Sequence, residues 1–243
     1  MKIEAIITDL QRAIEDITKC RKPEPERRFH KHDQYLSYSL KTPDFHRLMK
    51  EFQPRFLELR LPQRLELAEK LLNKHIGELG HAGIFVLILS IEQLLPRHFS
   101  RLEAMAEEFR SWSHVDSFGI GVLGPLLFRY RKETLSLLDD WSCSSNRFKR
   151  RASVVAFTRH VAKSGRFTEE VLHLCEKLIR DSEDIVRKGV GWALKDNMRS
   201  APDRVLSYVK DLRRRGVSST IILYAIRDLE PSGRKKVLAI KKR

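Results

Sequence analysis

An all-α protein built from repeated helix pairs is what the sequence predicts, and three observations predict it. Apolar residues recur at spacings of three and four along most of the chain, the period of one helix face. No segment alternates apolar and polar residues as a half-buried strand does. A basic, small-residue stretch also recurs: Arg150-Arg151-Ala152-Ser153-Val154-Val155-Ala156-Phe157 lines up with Arg187-Lys188-Gly189-Val190-Gly191-Trp192-Ala193-Leu194, 37 residues on. A period in the high thirties to forties belongs to stacked helix pairs of the HEAT type, which form a curved solenoid of antiparallel helices.

The elements follow in order. Ile3, Ile6, Ile7, Leu10, Ile14 and Ile17 lay one stripe along an N-terminal helix within residues 1–20, and Pro23 and Pro25 break the segment from Arg21 to Glu26. Thr42-Pro43 offers an N-cap followed by proline at the first helical position. Gln63 to Ile76 carries helical periodicity. Ile84 to Leu89 is the most apolar run; it is followed by Ser90, Glu92 and Gln93, far short of the ~20 apolar residues of a membrane span, and reads as a buried helix. Ser100 and Glu103 have the capping-box spacing. Leu102 to Phe109, Thr134 to Leu138, Val171 to Ile179 and Val205 to Leu212 are helical in period, with starts at Thr168 and Ser200. Val115 to Gly119 sits about one period before the Arg150 repeat, so Asp116, Arg151 and Lys188 are expected on one concave surface of a single domain spanning 1–243.

The 243 residues, 42% of them apolar, suffice for a sizeable core. Glu4 and Asp9 in the first helix fit neither a signal peptide nor a transit peptide, which points to the cytoplasm. Cys20, Cys143 and Cys175 are odd in number and widely spaced, so neither a disulfide framework nor a zinc site is expected. Charge is more informative: 47 basic against 32 acidic residues give +15. Residues 1–140 hold 22 basic and 21 acidic side chains, whereas 141–243 hold 25 and 11, a net +14. A field of that sign attracts polyanions, with nucleic acid the economical target and a solubilising surface the plain alternative.

Gly119-Ile120-Gly121-Val122-Leu123-Gly124 matches the dinucleotide fingerprint, but that motif needs a preceding strand and a βαβ setting. These glycines are expected instead to let helices approach closely, and no cofactor is assigned. His30, His32 and His46 lack a completing carboxylate or cysteine, so no metal is assigned. Trp112 and Asp116 stand at i and i+4 and share a helix face. By themselves they fit a core indole and an N-terminal cap better than a site. Trp192, one turn beyond Lys188, adds a second indole to the expected concave strip.

Ser111-Trp112-Ser113-His114-Val115-Asp116-Ser117-Phe118, then Asn146 with Arg150-Arg151-Ala152, then Arg187-Lys188-Gly189-Val190-Gly191-Trp192, resembles the AlkD-type DNA alkylation-repair glycosylases. The likeness runs over most of the chain, including Leu40-Lys41-Thr42-Pro43, and is sharpest between Trp112 and Trp192. It implies a curved stack of HEAT-like repeats that excises N3- and N7-alkylated purines from duplex DNA, reading the lesion through backbone and sugar. It makes Asp116 the catalytic carboxylate, Trp112 and Trp192 the aromatic walls, and Arg151 the residue holding the backbone. One departure is Ser111 and Ser113 flanking Trp112, where family members often carry a second tryptophan and an acidic residue; a changed lesion preference is expected from it. Around these residues Arg147, Lys149, Arg150, Arg187, Lys188 and Lys41 are candidate DNA contacts. The expected partner is double-stranded DNA with alkylated bases, met by a monomer on the nucleoid, with no membrane and no evident protein partner. A relative that binds damaged or branched DNA without excising a base, and a HEAT-type scaffold with an unrelated basic surface, are the alternatives.

Overall fold

A computed structural model describes residues 2–19, 22–27 and 35–241. About three quarters of them are helical, turns and loops make up most of the rest, and Glu24–Pro25 and Leu36–Ser37 pair as a two-residue antiparallel ladder. That ladder corrects the expectation of no strand. It is too short for any alternation to register in the sequence. Contacts cluster into two units, 1–117 and 118–243.

The first unit comprises α1 (Lys2–Thr18), α2 (Thr42–Leu57), α3 (Leu61–Leu72), α4 (Gly77–Leu89), α5 (Phe99–Glu107) and most of α6 (Trp112–Phe118). The stripe on α1 buries Ile3, Ile6, Ile7, Leu10 and Ile14, each contributing about 1.5–3 kcal/mol of apolar transfer. Ile17, expected to continue the stripe, is instead 37% exposed in the last turn of the helix. α4 is apolar nearly all round and buries most of its length, as its composition predicts. Its one early acid, Glu78, is also buried. Glu78 accepts hydrogen bonds from Ser37 Oγ at 2.7 Å, Tyr38 N at 3.1 Å and Leu40 N at 3.2 Å, and so ties the segment before α2 to α4. No described helix is long and apolar enough to cross a membrane.

Two expected caps move. α2 begins at Thr42 itself, because Lys41 has the extended conformation of a cap and its carbonyl accepts the first helical bond, from Phe45 N at 2.9 Å. Pro43 therefore sits second in the first turn, where its missing N–H is still harmless. Likewise α5 begins at Phe99, which puts Ser100 inside the helix rather than at its cap.

The second unit begins at Phe118 and continues through a π-helical turn (Gly119–Leu123) into α7 (Gly124–Arg129), α8 (Arg131–Ser142), α9 (Arg147–Val155), α10 (Arg159–Lys163), α11 (Thr168–Leu178), α12 (Asp184–Asn197), α13 (Pro202–Arg214), α14 (Ser219–Ala225) and α15 (Pro231–Leu238). Its plan is a series of helix pairs, α8 with α9, α11 with α12, and α13 with α14, in which α9, α12 and α14 lie side by side. The aligned sequence segments thus fall on adjacent helices, as the 37-residue offset predicts. The expected close approach at the glycine-rich run is also seen: a Cβ on Gly119 would stand 3.2 Å from Val155 Cγ1, and one on Gly124 would stand 3.2 Å from His160 and Val161.

Gly191 is tighter still. A Cβ there would lie 2.5 Å from Tyr224 Cβ and 3.0 Å from the Ile221 carbonyl, so α12 and α14 can touch only because residue 191 has no side chain. Gly191→Ala is expected to destabilise the fold by about 1–3 kcal/mol despite its higher helix propensity. Thermal unfolding checks this, and an unchanged Tm would mean that the helices separate freely.

Candidate functional site

α6 carries Trp112 and Asp116. Ser111 caps it, its Oγ accepting from His114 N at 3.3 Å, so Asp116 stands inside the helix and the cap reading of this aspartate is excluded. Both Trp112 and Asp116 are partly exposed, one turn apart on one face. The serines beside them are engaged with α4. Ser113 Oγ lies 2.7 Å from Ser111 Oγ and 3.2 Å from His81 Nε2, while Ser117 Oγ lies 3.4 Å from His81 Nδ1. His81, not singled out by the sequence reasoning, therefore has both ring nitrogens facing hydroxyls that follow Trp112 and Asp116 by one residue. Gly80 makes this possible: a Cβ there would be 2.6 Å from the His114 ring, which stacks edgewise on His81 at 4.6 Å and donates from Nε2 to the Gly77 carbonyl at 3.0 Å. Lys41 is exposed at the head of α2, and His46 lies on α2; His30 and His32 fall outside the described residues. Among the described residues no group of His, Cys, Asp or Glu is arranged to hold a metal ion.

In the second unit, Asn146 caps α9, its Oδ1 accepting from Phe148 N at 2.9 Å. The basic residues that follow divide by burial. Arg147 pairs with Glu183 at 3.2 Å and lies over the Phe148 ring. Lys149 is only 6% exposed, its ammonium 5.7 Å from the Trp141 ring centre; its apolar stem is worth burying and an aromatic face receives its charge. This differs from the open-surface DNA contact expected of it. Arg150 is likewise committed within the protein, to Asp181 at 2.6 Å and to the Ser144 and Ser145 carbonyls at 2.9 Å. Arg151 is also nearly buried. It packs across Gly189 and donates to the Ile185 carbonyl, so it joins α9 to the first turn of α12. Arg187 stands 3.8 Å from Asp184, and Lys188, half exposed, pairs with the same carboxylate at 2.7 Å.

Trp192 is partly exposed on α12 and is held on two sides. Its Nε1 donates to Asp196 Oδ2 at 3.1 Å, and the Arg159 guanidinium lies 5.2 Å from its ring centre. Asp196 and Arg159 escaped the sequence reasoning. A signal for Asp196 was available, since Trp192-x-x-x-Asp196 repeats the spacing of Trp112-x-x-x-Asp116 two periods later.

Comparison with known proteins places these elements in a lineage. The family model described as DNA alkylation repair enzyme matches residues 10–229. The chain belongs to this family. Solved structures share the fold of this DNA alkylation repair protein. A predicted DNA alkylation repair enzyme from Enterococcus faecalis matches with a TM-score of 0.72 at 13% identity, over 92% of this chain and 96% of the other. AlkD2 from Streptococcus mutans matches with a TM-score of 0.62 at 18% identity, over 91% of this chain and 99% of the other. The alkylpurine DNA glycosylase AlkC of Pseudomonas fluorescens, solved bound to DNA containing an abasic site analogue, matches at 0.62 and 17% identity, over 97% of this chain and 65% of the other. No curated protein matches the chain significantly. Helical repeats and membership of the DNA alkylation repair family are thus as the sequence predicts.

Proposed function

We propose that the chain is a monofunctional DNA glycosylase that hydrolyses the N-glycosidic bond of cationic N3- and N7-alkylated purines in duplex DNA. The observation that carries this reading is a carboxylate, Asp116, one turn from the indole of Trp112, both partly exposed, in a member of the DNA alkylation repair enzyme family. A fold shared with an alkylpurine glycosylase solved on abasic DNA supports it.

The chemistry suits the residues. An alkylated purine already carries positive charge, so the C1′–N bond breaks with its electron pair passing to the base and no general acid is required. Positive charge then develops on the sugar, where Asp116 stabilises it and orients the water that adds to C1′. An exposed indole face, such as that of Trp112 beside Asp116 or that of Trp192 in the second unit, is suited to holding a nucleotide, with contacts of this kind worth about 0.5–1 kcal/mol each. Arg151 serves the backbone from a nearly buried position, and Arg147, Arg187, Lys188 and Lys41 supply the more accessible charge. The test is incubation of the purified protein with duplex DNA bearing N7-methylguanine: free base and an abasic site are expected. Retention on the duplex without base release would leave a DNA-binding protein that does not excise.

Binding itself is expected to be electrostatic and to reside in 141–243. Log affinity for undamaged duplex should fall linearly with log salt, at a slope of about −0.9 per neutralised phosphate, and Lys188→Gln should lower the magnitude of that slope by about 1. Fluorescence anisotropy across a salt series measures both; a flat response would exclude phosphate neutralisation.

A further inference from the structure

Asp196 is the feature of the second unit that the proposed chemistry leaves unused. It is 2% exposed, at the last turn of α12. One oxygen, Oδ2, accepts both from Trp192 Nε1 at 3.1 Å and from the backbone N of Arg159 at 2.9 Å. The other, Oδ1, faces the Lys195 ammonium at 3.4 Å. Burying a carboxylate is costly unless its partners are fixed, and here both donors to Oδ2 belong to one construction, the indole itself and the backbone of the residue whose guanidinium lies over it. Arg159 is part of the same construction. Its φ of 55° is a left-handed conformation that a non-glycine residue rarely adopts. Held there by Asp196, Arg159 opens α10 and carries its guanidinium over the Trp192 ring. An indole that served only to fill a core would need neither the carboxylate nor a residue in the left-handed region.

We infer that Asp196 is a positioning residue: it locks the Trp192 indole through Nε1–H and sets Arg159 against one ring face, leaving the rest of the ring fixed for the lesion nucleotide. The inference rests on the proposed glycosylase reading for what the indole meets. The locking itself does not depend on that reading. A ring held to one orientation presents its face without a search over rotamers, and misplacement of a contacting group by about 1 Å can cost on the order of a hundredfold in rate. One consequence concerns specificity. With Arg159 occupying one face, a cationic base has only the other face or the edge of Trp192 available, so the indole acts chiefly on the sugar and backbone of the lesion nucleotide.

The test combines a spectroscopic and a kinetic arm. In ¹⁵N-labelled protein the Trp192 indole signal is assigned by its loss in Trp192→Phe, and its exchange with solvent is then followed. Slow exchange is expected in the wild type and in Asp196→Asn, which keeps an acceptor oxygen, and fast exchange in the near-isosteric Asp196→Leu. In single-turnover excision of N7-methylguanine, Asp196→Leu and Trp192→Phe should each lose about ten- to a hundredfold while affinity for undamaged duplex holds, and Asp196→Asn should be largely rescued. The double variant Asp196→Leu/Trp192→Phe should be no slower than the worse single variant, since both break one interaction. Fast indole exchange in the wild type, or losses that multiply in the double variant, would overturn the inference. If Asp196→Leu fails to fold, Trp192→Phe, which removes the indole N–H while keeping an aromatic ring, still decides: full activity from it overturns the inference. Slow exchange in a wild type that excises nothing would uphold the locking and overturn the glycosylase reading instead.

Discussion

Asp116→Asn is expected to slow single-turnover release of N7-methylguanine by about 10²- to 10³-fold, the scale on which removing one preorganised electrostatic contact acts. The substitution keeps the shape of the side chain and removes its charge. Because Asp116 lies inside α6, capped by Ser111, the exchange disturbs no cap, and Asp and Asn have similar helix propensities, so stability should hold. Affinity for duplex should hold or rise, since a negative charge facing phosphates is lost. Binding and catalysis would thus separate. Release at the wild-type rate by the Asn variant would sink the proposed role of Asp116. The substrate must be cationic: a neutral adduct is a poorer leaving group, and with no general acid assigned the protein should leave it largely intact.

Trp141→Ala is expected to produce the largest loss of stability among the three tryptophans. Trp141 is 1% exposed on α8, stacked on Phe118 with ring centres 6.3 Å apart and planes 22° from parallel, and the Lys149 ammonium rests over it. Removing it opens a cavity and takes away the aromatic face beside a buried ammonium, for which about 3–5 kcal/mol is expected, a fall in Tm on the order of 10 °C. Trp112 and Trp192 are partly exposed, so Trp112→Ala and Trp192→Ala should cost less stability and instead reduce excision more than they reduce binding to undamaged DNA. Calorimetry beside single-turnover kinetics separates the two classes. A melting temperature for either variant as low as that of Trp141→Ala would assign that tryptophan to the core.

What the sequence by itself determined is whatever repeats over a few residues or depends on composition. Helical periodicity is local, and it located the longer helices of both units but not the short α7, α10, α14 and α15, with starts shifted by a residue or more at α2, α5 and α13, where backbone conformation rather than a favourable side chain sets the start. The 37-residue self-similarity correctly paired α9 with α12, because equivalent repeats must bury equivalent faces against each other. The excess of charge in residues 141–243 is a count that no fold can change.

Tertiary structure alone decided how each polar side chain is spent. Lys149, Arg150 and Arg151 are three successive cations of one basic run, indistinguishable by composition, yet one lies over an indole, one is held by Asp181 and one by the Ile185 carbonyl. Asp196 reads as one more acid on an amphipathic helix until the left-handed Arg159, 37 positions earlier, is seen to donate its N–H to it. The physical reason is common to these cases. Burying a charge is favourable only where its partners are already fixed, and here those partners lie on other segments, eight positions away for Lys149 and more than thirty for Arg150, Arg151 and Asp196, where periodicity carries no information about individual side chains.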